Sequence, residues 1–349
     1  MKASIIGMGW VTPLGRDLDA VWQAIQDERQ PIPVSQSSSF GASLCPVLRV
    51  PDEDLVEAEA LPRLRRSSRI SHLAVTAASD AIASAGLTAD QLARTALVFA
   101  TSDGGIAYTR RFYAEVVKSD SGSPLLFPET VYNAPTSHIA ARLGLGGEAI
   151  TLAGDAASGL AAVRLGGALL TTGEVDHCLI VSAQEMDEIT CLAYRNLGLI
   201  RAEIGEESPA VYFAEGAAAL VLARNGSPLI ESPHPGFSYT SEAHAARQME
   251  RLLDSILASR RPRVVISGQS GISPDAIEQA SLHRLLPDAV LHTPKKTLGE
   301  SMANSALQHV IAGALALRDH KSGGEVLVPA VGFNGQIAAL ILTGSVSEE

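Results

Sequence analysis

Residues 149–184 read AITLAGDAASGLAAVRLGGALLTTGEVDHCLIVSAQ. The apolar run Ala149–Ala153 has strand length, Ser158–Thr171 is an Ala/Gly-rich helix, and His177–Ser182 is a second apolar strand. The second half of the chain repeats this order. Ala289–His292 reads as a strand, Met302–Leu317 as an apolar helix, and Glu325–Ala330 with Gln336–Thr343 as a closing strand pair. Ser158–Thr171 thus matches Met302–Leu317, and His177–Leu222 matches Val326–Leu342. A repeat on this scale outweighs any single element. Strands alternating with helices imply mostly parallel sheets covered by helices. Helices as rich in small residues as 161–170 and 312–317 suit a central layer, where thin helices let backbones approach closely.

Outward from this core, Ala3–Ile6 reads as a buried strand and Asp17–Ile25 as a helix with Leu18, Val21, Trp22 and Ile25 on one face. Asp27–Arg65 is Ser/Pro-rich and reads as an irregular surface excursion. Ser67–Ala85 is a long Ala-rich helix stopped by Gly86, and Ala96–Ala100 is a strand that runs into the turn at 101–105. Thr136–Leu143 is helical and Ala217–Ala223 is a strand. In the second half Ala243–Ser259 and Asp275–Leu286 are helices, and Arg263–Ser267 is a strand.

Composition narrows the function. The 349 residues carry 27 Lys+Arg against 38 Asp+Glu, a net charge of −11, which argues against a nucleic-acid partner. The densest basic run, Arg63–Arg66 with Arg69, is too short for such a face. Three cysteines, Cys45, Cys178 and Cys191, stand in no CxxC spacing, which excludes a disulfide scaffold or zinc ribbon and makes the reduced cytoplasm the expected compartment. No apolar stretch is long enough to span a membrane. No metal-ligand constellation or nucleotide-binding loop is visible, so no cofactor is expected.

Six motifs in order then resemble the β-ketoacyl synthases of the thiolase fold. They are Ile6–Gly15, the small-residue helix Ala77–Gly86, Phe127-Pro128 with Asn133, Ala156–Leu160, Phe213–Ala218 and Gly332–Gly335. The resemblance implies a duplicated α/β fold in five α-β-α-β-α layers, with pseudo-symmetric halves at 1–225 and 226–349. It also locates what is missing. Family members carry a nucleophilic cysteine at a helix start, where unpaired N–H groups favour the thiolate. Here that position is Ala156. The first family histidine falls within 267–273, where Gly268 or Gln269 stands instead, and the second falls on Glu300, leaving only Lys295 of its Lys-x-x-x-x-His pattern. Without the thiolate there is no acyl-enzyme at this position. Without both imidazoles, decarboxylation loses its main electrostatic support. Asp155, Ser158, Phe333 and Asn334 would line a vestigial pocket, with Lys295 and Glu300 filling it as an ion pair. His138 is expected to be structural. The stretches 201–209 and 227–263 look shortened, where relatives build the rim of the acyl channel.

Among type II polyketide systems, the family includes chain-length factors. These lack the cysteine, pair with an active ketosynthase as a heterodimer or dimer of heterodimers, and shape its acyl tunnel while the acyl carrier protein presents the chain. The present chain resembles such a subunit, and an Ala-for-Cys version suits fatty-acid-like clusters for aryl polyene pigments. On this resemblance Leu126 would cross the interface and end the partner's tunnel, with Phe127, Tyr132, Asn133, Asp103 and Phe112 around it. Two other readings stay open: a homodimeric acyl-chain-binding or scaffolding pseudoenzyme, and a hydrolase using Ser158.

Overall fold

Two sets of five strands with the same internal pattern build the molecule. The computed structural model describes residues 2–37, 43–55, 66–201, 203–205, 210–232, 235–272, 275–319, 324–332 and 334–344. In the first half these form β1 (Lys2–Val11), α1 (Leu18–Gln26), β2 (Val34–Ser37), β3 (Ser43–Leu48), α2 (Arg69–Ala85), α3 (Ala89–Leu92), β4 (Thr95–Thr101), α4 (Ile106–Ser119), α5 (Ala134–Leu143), β5 (Ala149–Ala153), α6 (Ala156–Thr172), β6 (His177–Gln184), α7 (Glu188–Asn196), β7 (Phe213–Ala214) and β8 (Gly216–Ala223). There follow β9 (Leu229–Glu231), β10 (Phe237–Ser238), α8 (Glu242–Leu257), β11 (Val264–Ile266), α9 (Asp275–Leu285), β12 (Val290–His292), α10 (Pro294–Leu298), α11 (Ala303–Asp319), β13 (Glu325–Val331) and β14 (Gln336–Thr343).

The first set runs β5-β4-β6-β8-β1, with β4 parallel to both neighbours and β8 antiparallel to both of its own. The second runs β12-β11-β13-β14-β9 with the same directions in the same places. Antiparallel pairing of β1 with β9 joins them into one sheet. Each set also has corresponding helices: α2 with α8, α5 with α9, and α6 with α11. The duplication read from the sequence is therefore present strand for strand.

Side chains alternate across each strand and so serve two layers. Leu97 and Phe99 of β4 face outward onto Leu73 and Ala77 of α2, whereas Ala96 and Val98 face the central layer. In the second set Ile337 and Ile341 of β14 meet Met249 and Leu252 of α8, while Leu340 and Leu342 face the centre. The central layer is α6 and α11, and every residue of α11 from Ala303 to Leu317 is buried. A helix buried all round carries no amphipathic stripe. Its small residues have a geometric reason: a Cβ on Gly159 of α6 would lie 2.5 Å from the Ala303 carbonyl oxygen. The result is five layers, α-β-α-β-α.

Three expectations need correction. The sheets are mixed and not mostly parallel, because β8 and β14 run antiparallel to both of their neighbours and β1 runs antiparallel to β9. Part of 27–65 is ordered: β3 pairs in parallel with β7, and Cys45, Val47 and Leu48 are buried. Pro46 interrupts the local strand pattern, and besides its antiparallel pairing with β2 the strand pairs with β7, more than 160 residues away. The helix expected over Ser158–Thr171 starts two residues earlier, at Ala156, with Asp155 as its N-cap. The amphipathic helix α7 was not anticipated. The basic run 63–65 lies outside the described residues.

Candidate functional site

Strand ends bring the family's catalytic positions together. β5 stops at Ala153, Gly154 turns the chain, and the Asp155 carboxylate accepts from the Ala157 N–H at 3.2 Å to open α6. Ala156 is then the first residue of the helix, buried and facing a small cavity. The opposite wall comes from the end of β11 (Gly268, Ser270, Ile272), the first turn of α9 (Asp275, Glu278), Lys295 of α10, and Glu300 before α11. Sites at the carboxyl ends of parallel strands are the general rule for open α/β sheets. Free space within is about 10 Å³, near the minimum that one water needs.

Charge in this cavity is tightly committed. Lys295 Nζ lies 2.6 Å from Glu300 Oε2, and both side chains are buried. The other oxygen of Glu300 accepts from the Met302 N–H at 2.8 Å and from Ser305 Oγ at 3.0 Å. The expected ion pair is present. Asp155 also accepts from the Asn334 N–H at 2.8 Å, and burial raises its pKa. A Cβ at Gly332 would collide with the Asp155 carboxylate, so the closing loop seals this corner at backbone level. Asp275 accepts from the Ser270 and Gly271 N–H groups, and burial raises its pKa too.

No histidine lines the cavity among the described residues. Gly268 lines it; Gln269 does not, and its buried Nε2 has no partner among the described residues. Ser158 Oγ donates to the Asp155 carbonyl oxygen at 2.6 Å and is almost wholly buried, tied to its own helix start with no base beside it. Phe333 lies outside the described residues. His138 pairs with Glu129 at 2.7 Å, and Glu129 also accepts from the Ser68 N–H at 2.9 Å, which fits a structural role.

The site also contains residues that the sequence did not single out. Glu278, fully buried, accepts from Ser267 Oγ at 2.6 Å and from the Gly268 N–H at 3.0 Å through one oxygen, and burial pushes its pKa up to about 7. His309 sits on α11 behind Lys295, held well below its ordinary pKa by burial and then by the charge of Lys295. His309 could have been noticed as a polar residue inside the apolar helix α11, whereas Glu278 is one of several polar residues of α9 and carried no such signal.

Glu278 gives a test of this electrostatic reading. Its pKa rises on folding from an ordinary 4.5 to about 7, so the folded chain binds the proton more tightly. The associated stability is present below about pH 4.5 and is lost as pH rises to about 7, by roughly 3 kcal/mol. Glu278→Gln keeps an oxygen for both hydrogen bonds and removes the titration. Urea midpoints taken between pH 4.5 and 7.5 should fall less steeply with pH in the variant; parallel curves would refute the assignment.

A second group of residues forms an outward face. α4 has no buried residue; it is held by Glu185, which accepts from the Ala107 N–H at 2.9 Å, and by Arg110 with Asp187 and Glu188 at 2.9 and 3.1 Å. It leaves Tyr113 60 % and Val117 86 % exposed, beside exposed Leu125, Val131 and Tyr132. β5 ends the strand order of the large sheet. Contiguous apolar exposure of this kind marks an interaction surface. Two expected tunnel residues stand differently. Leu126 is only 8 % exposed and packs into its own chain, whereas Phe127, at 56 %, projects with its ring against Phe112. Asp103 turns inward to accept from Gln184 Nε2 at 2.7 Å and Tyr194 OH at 3.4 Å. Asn133 is exposed at the start of α5, and the Tyr132 ring lies over Gly104.

The fold defines a thiolase-like α/β protein, with Ala156 at the start of α6 facing the cavity. Residues 2–226 match the family model "Beta-ketoacyl synthase, N-terminal domain". The chain belongs to the β-ketoacyl synthase family. Among solved structures it is similar to the ishigamide ketosynthase/chain length factor, with 20 % identity, a TM-score of 0.82 and 99 % of each chain covered. It is similar to a β-ketoacyl synthase from Burkholderia phymatum STM815, with 17 % identity, a TM-score of 0.82 and the same coverage. A third is the type II polyketide synthase AntDE:AntF, an acyl-carrier protein in complex with its ketosynthase bound to the hexaketide (14 % identity, TM-score 0.78, 99 % of each chain covered). No curated protein matches by sequence. Among the described residues no helix is long and apolar enough to cross a membrane.

Proposed function

We propose that this chain is the non-catalytic partner, of the chain-length-factor kind, of an active ketosynthase that extends polyketide or polyene chains on an acyl carrier protein in the cytoplasm. The observation that carries the reading is the nucleophile position itself. Ala156 opens α6 into a cavity of about 10 Å³ in which Glu300 already neutralises Lys295. A site with no thiol at Ala156, no imidazole among the described residues and space for about one water is a poor place to hold an acyl chain as a thioester or to stabilise an enolate. The apolar face of α4 supplies what such a subunit needs instead, a large surface for a partner. Relatives named as a ketosynthase/chain length factor and as a ketosynthase with its acyl-carrier protein support the same reading. An Ala-for-Cys chain resembling fatty-acid enzymes favours an aryl polyene pathway over an aromatic one.

Co-expression with candidate ketosynthases tests it. The expected result is one stable heterodimer on size exclusion that extends malonyl units, while the chain alone forms no acyl adduct. A well-behaved monomer that ignores every ketosynthase, or an acyl adduct on Ser158, would sink the proposal. Ala156→Cys should restore no condensation, because both imidazoles are still absent; turnover in that variant would refute the assignment of the histidine positions.

The same reading predicts what sets product length. Leu126 is the position that family resemblance nominates, but Phe127 is the side chain that projects. Close packing makes a tunnel floor sensitive to volume. Phe127→Ala should therefore lengthen the product by one or more extension units, with the heterodimer intact, and Leu126→Ala should mainly lower stability. Longer products from Leu126→Ala alone would return the gate to Leu126.

A further inference from the structure

Phe127, which projects from the outward face, belongs to a turn whose third residue points the other way. Phe127–Glu129 form a single turn of 3-10 helix between α4 and α5. With three residues per turn, positions 127 and 129 leave it on different sides, so holding one inward sends the other outward. Glu129 is the inward one and is buried. Its Oε1 lies 2.7 Å from Nε2 of His138 on α5, and its Oε2 accepts from the Ser68 N–H at 2.9 Å. Ser68 is the N-cap of the core helix α2, and its own hydroxyl makes no capping bond, so Glu129 serves that helix start instead. Burial works against the charge of Glu129, yet the hydrogen bonds from His138 and Ser68 hold its carboxyl below the ordinary range, and both oxygens accept. Other bonds of the turn are local: the Glu129 N–H donates to the Leu126 carbonyl at 3.1 Å and the Thr130 N–H to that of Phe127 at 3.0 Å. These shape the turn without orienting it on the molecule. The Glu129 carbonyl also lies against the start of α4, 2.4 Å from where a Cβ on Gly105 would stand.

We propose that Glu129 and His138 are positioning residues for product length: by tying the turn to α2 and α5 they fix how far Phe127 reaches into the partner's tunnel. The inference rests on the reading of Phe127 as the floor of that tunnel. A floor held at one depth leaves room for one chain length, because close packing admits no further methylene. A ring on a loosened turn samples several depths, and the products become a mixture. The only ring against Phe127 is that of Phe112, 5.7 Å away between centroids and itself on the exposed helix α4, so the aromatic contact by itself supplies no anchor in the core. That anchor is the Glu129 carboxylate.

Hydrogen exchange in the chain alone reads the tie directly. Amides of 126–131 should exchange about ten-fold faster in His138→Leu, with those of α11 unchanged. In the heterodimer supplied with malonyl units on carrier protein, the same variant should spread the product over neighbouring lengths. His138→Gln puts an amide N–H near the place of Nε2, so it should restore both slow exchange and the single length, a rescue that packing alone would not give. Should the leucine variant fold poorly, His138→Asn, too short to reach Glu129, should show the same losses. Unchanged exchange, a single unchanged length in His138→Leu, or mixtures alike from the leucine and glutamine variants would each overturn the proposal. Phe127→Ala in the same assay separates it from the tunnel reading. If that variant alters length and His138→Leu does not, the positioning role alone fails. If neither alters length, the tunnel reading fails and the positioning role falls with it.

Discussion

Replacing Glu300 by alanine should cost the folded chain roughly 3–5 kcal/mol, the largest stability loss expected of any change in the site. The estimate follows from what the side chain does. Its two oxygens neutralise a buried ammonium at 2.6 Å and satisfy the Met302 N–H and Ser305 Oγ. Met302, buried, has φ +51°, a left-handed conformation that a residue with a Cβ rarely adopts and that the Glu300 hydrogen bond helps to hold. Removing the carboxylate leaves Lys295 charged and unpaired in a site with almost no room for water. Urea denaturation measures the loss. The double variant Lys295→Met with Glu300→Gln should recover most of it, because no charge is then stranded and an amide oxygen can still accept. Equal instability of the two would show that packing, not charge, sets the cost.

Placing a charge on the exposed face of α4 should have the largest effect on assembly. Val117→Asp combined with Tyr113→Ala alters two side chains that are mostly exposed in the chain by itself, so the fold should barely respond. Apolar and aromatic anchors at the centre of an interface commonly carry about 2 kcal/mol or more each, and an aspartate forced into that contact adds desolvation. Affinity for the co-expressed ketosynthase should fall roughly a hundred- to a thousand-fold. Size exclusion and calorimetry read the loss, and circular dichroism confirms the unchanged fold. Undiminished binding would mean that the partner docks elsewhere.

The resemblance that led to these experiments was legible because the family's landmarks are local. Ile6–Gly15, Ala156–Leu160 and Gly332–Gly335 are short strings fixed by tight turns and close backbone approaches, and such demands stay visible in the residues themselves. Strand and helix order was legible for the same reason, since an apolar period of two or an Ala/Gly-rich run is a property of neighbours in the chain. The edges were less visible. Pro46 hides β3, one of whose two pairing partners is the distant β7, and polar composition hides α7.

By itself the sequence determined the duplicated α/β architecture, and it places alanine at 156 and glutamate at 300, where the family resemblance expects a cysteine and a histidine. Each of these is a statement about one residue or one local period. Only the tertiary structure decided that Leu126 turns inward while Phe127 projects, that Asp103 belongs to an internal hydrogen-bonded cluster, and that Glu278 and His309 stand around Lys295. Those facts depend on which direction a side chain takes and on what a distant segment brings to it. Direction at a loop is set by packing against elements far away in sequence, and burial, which fixes the charge of a carboxylate or an imidazole, exists only once all five layers are assembled.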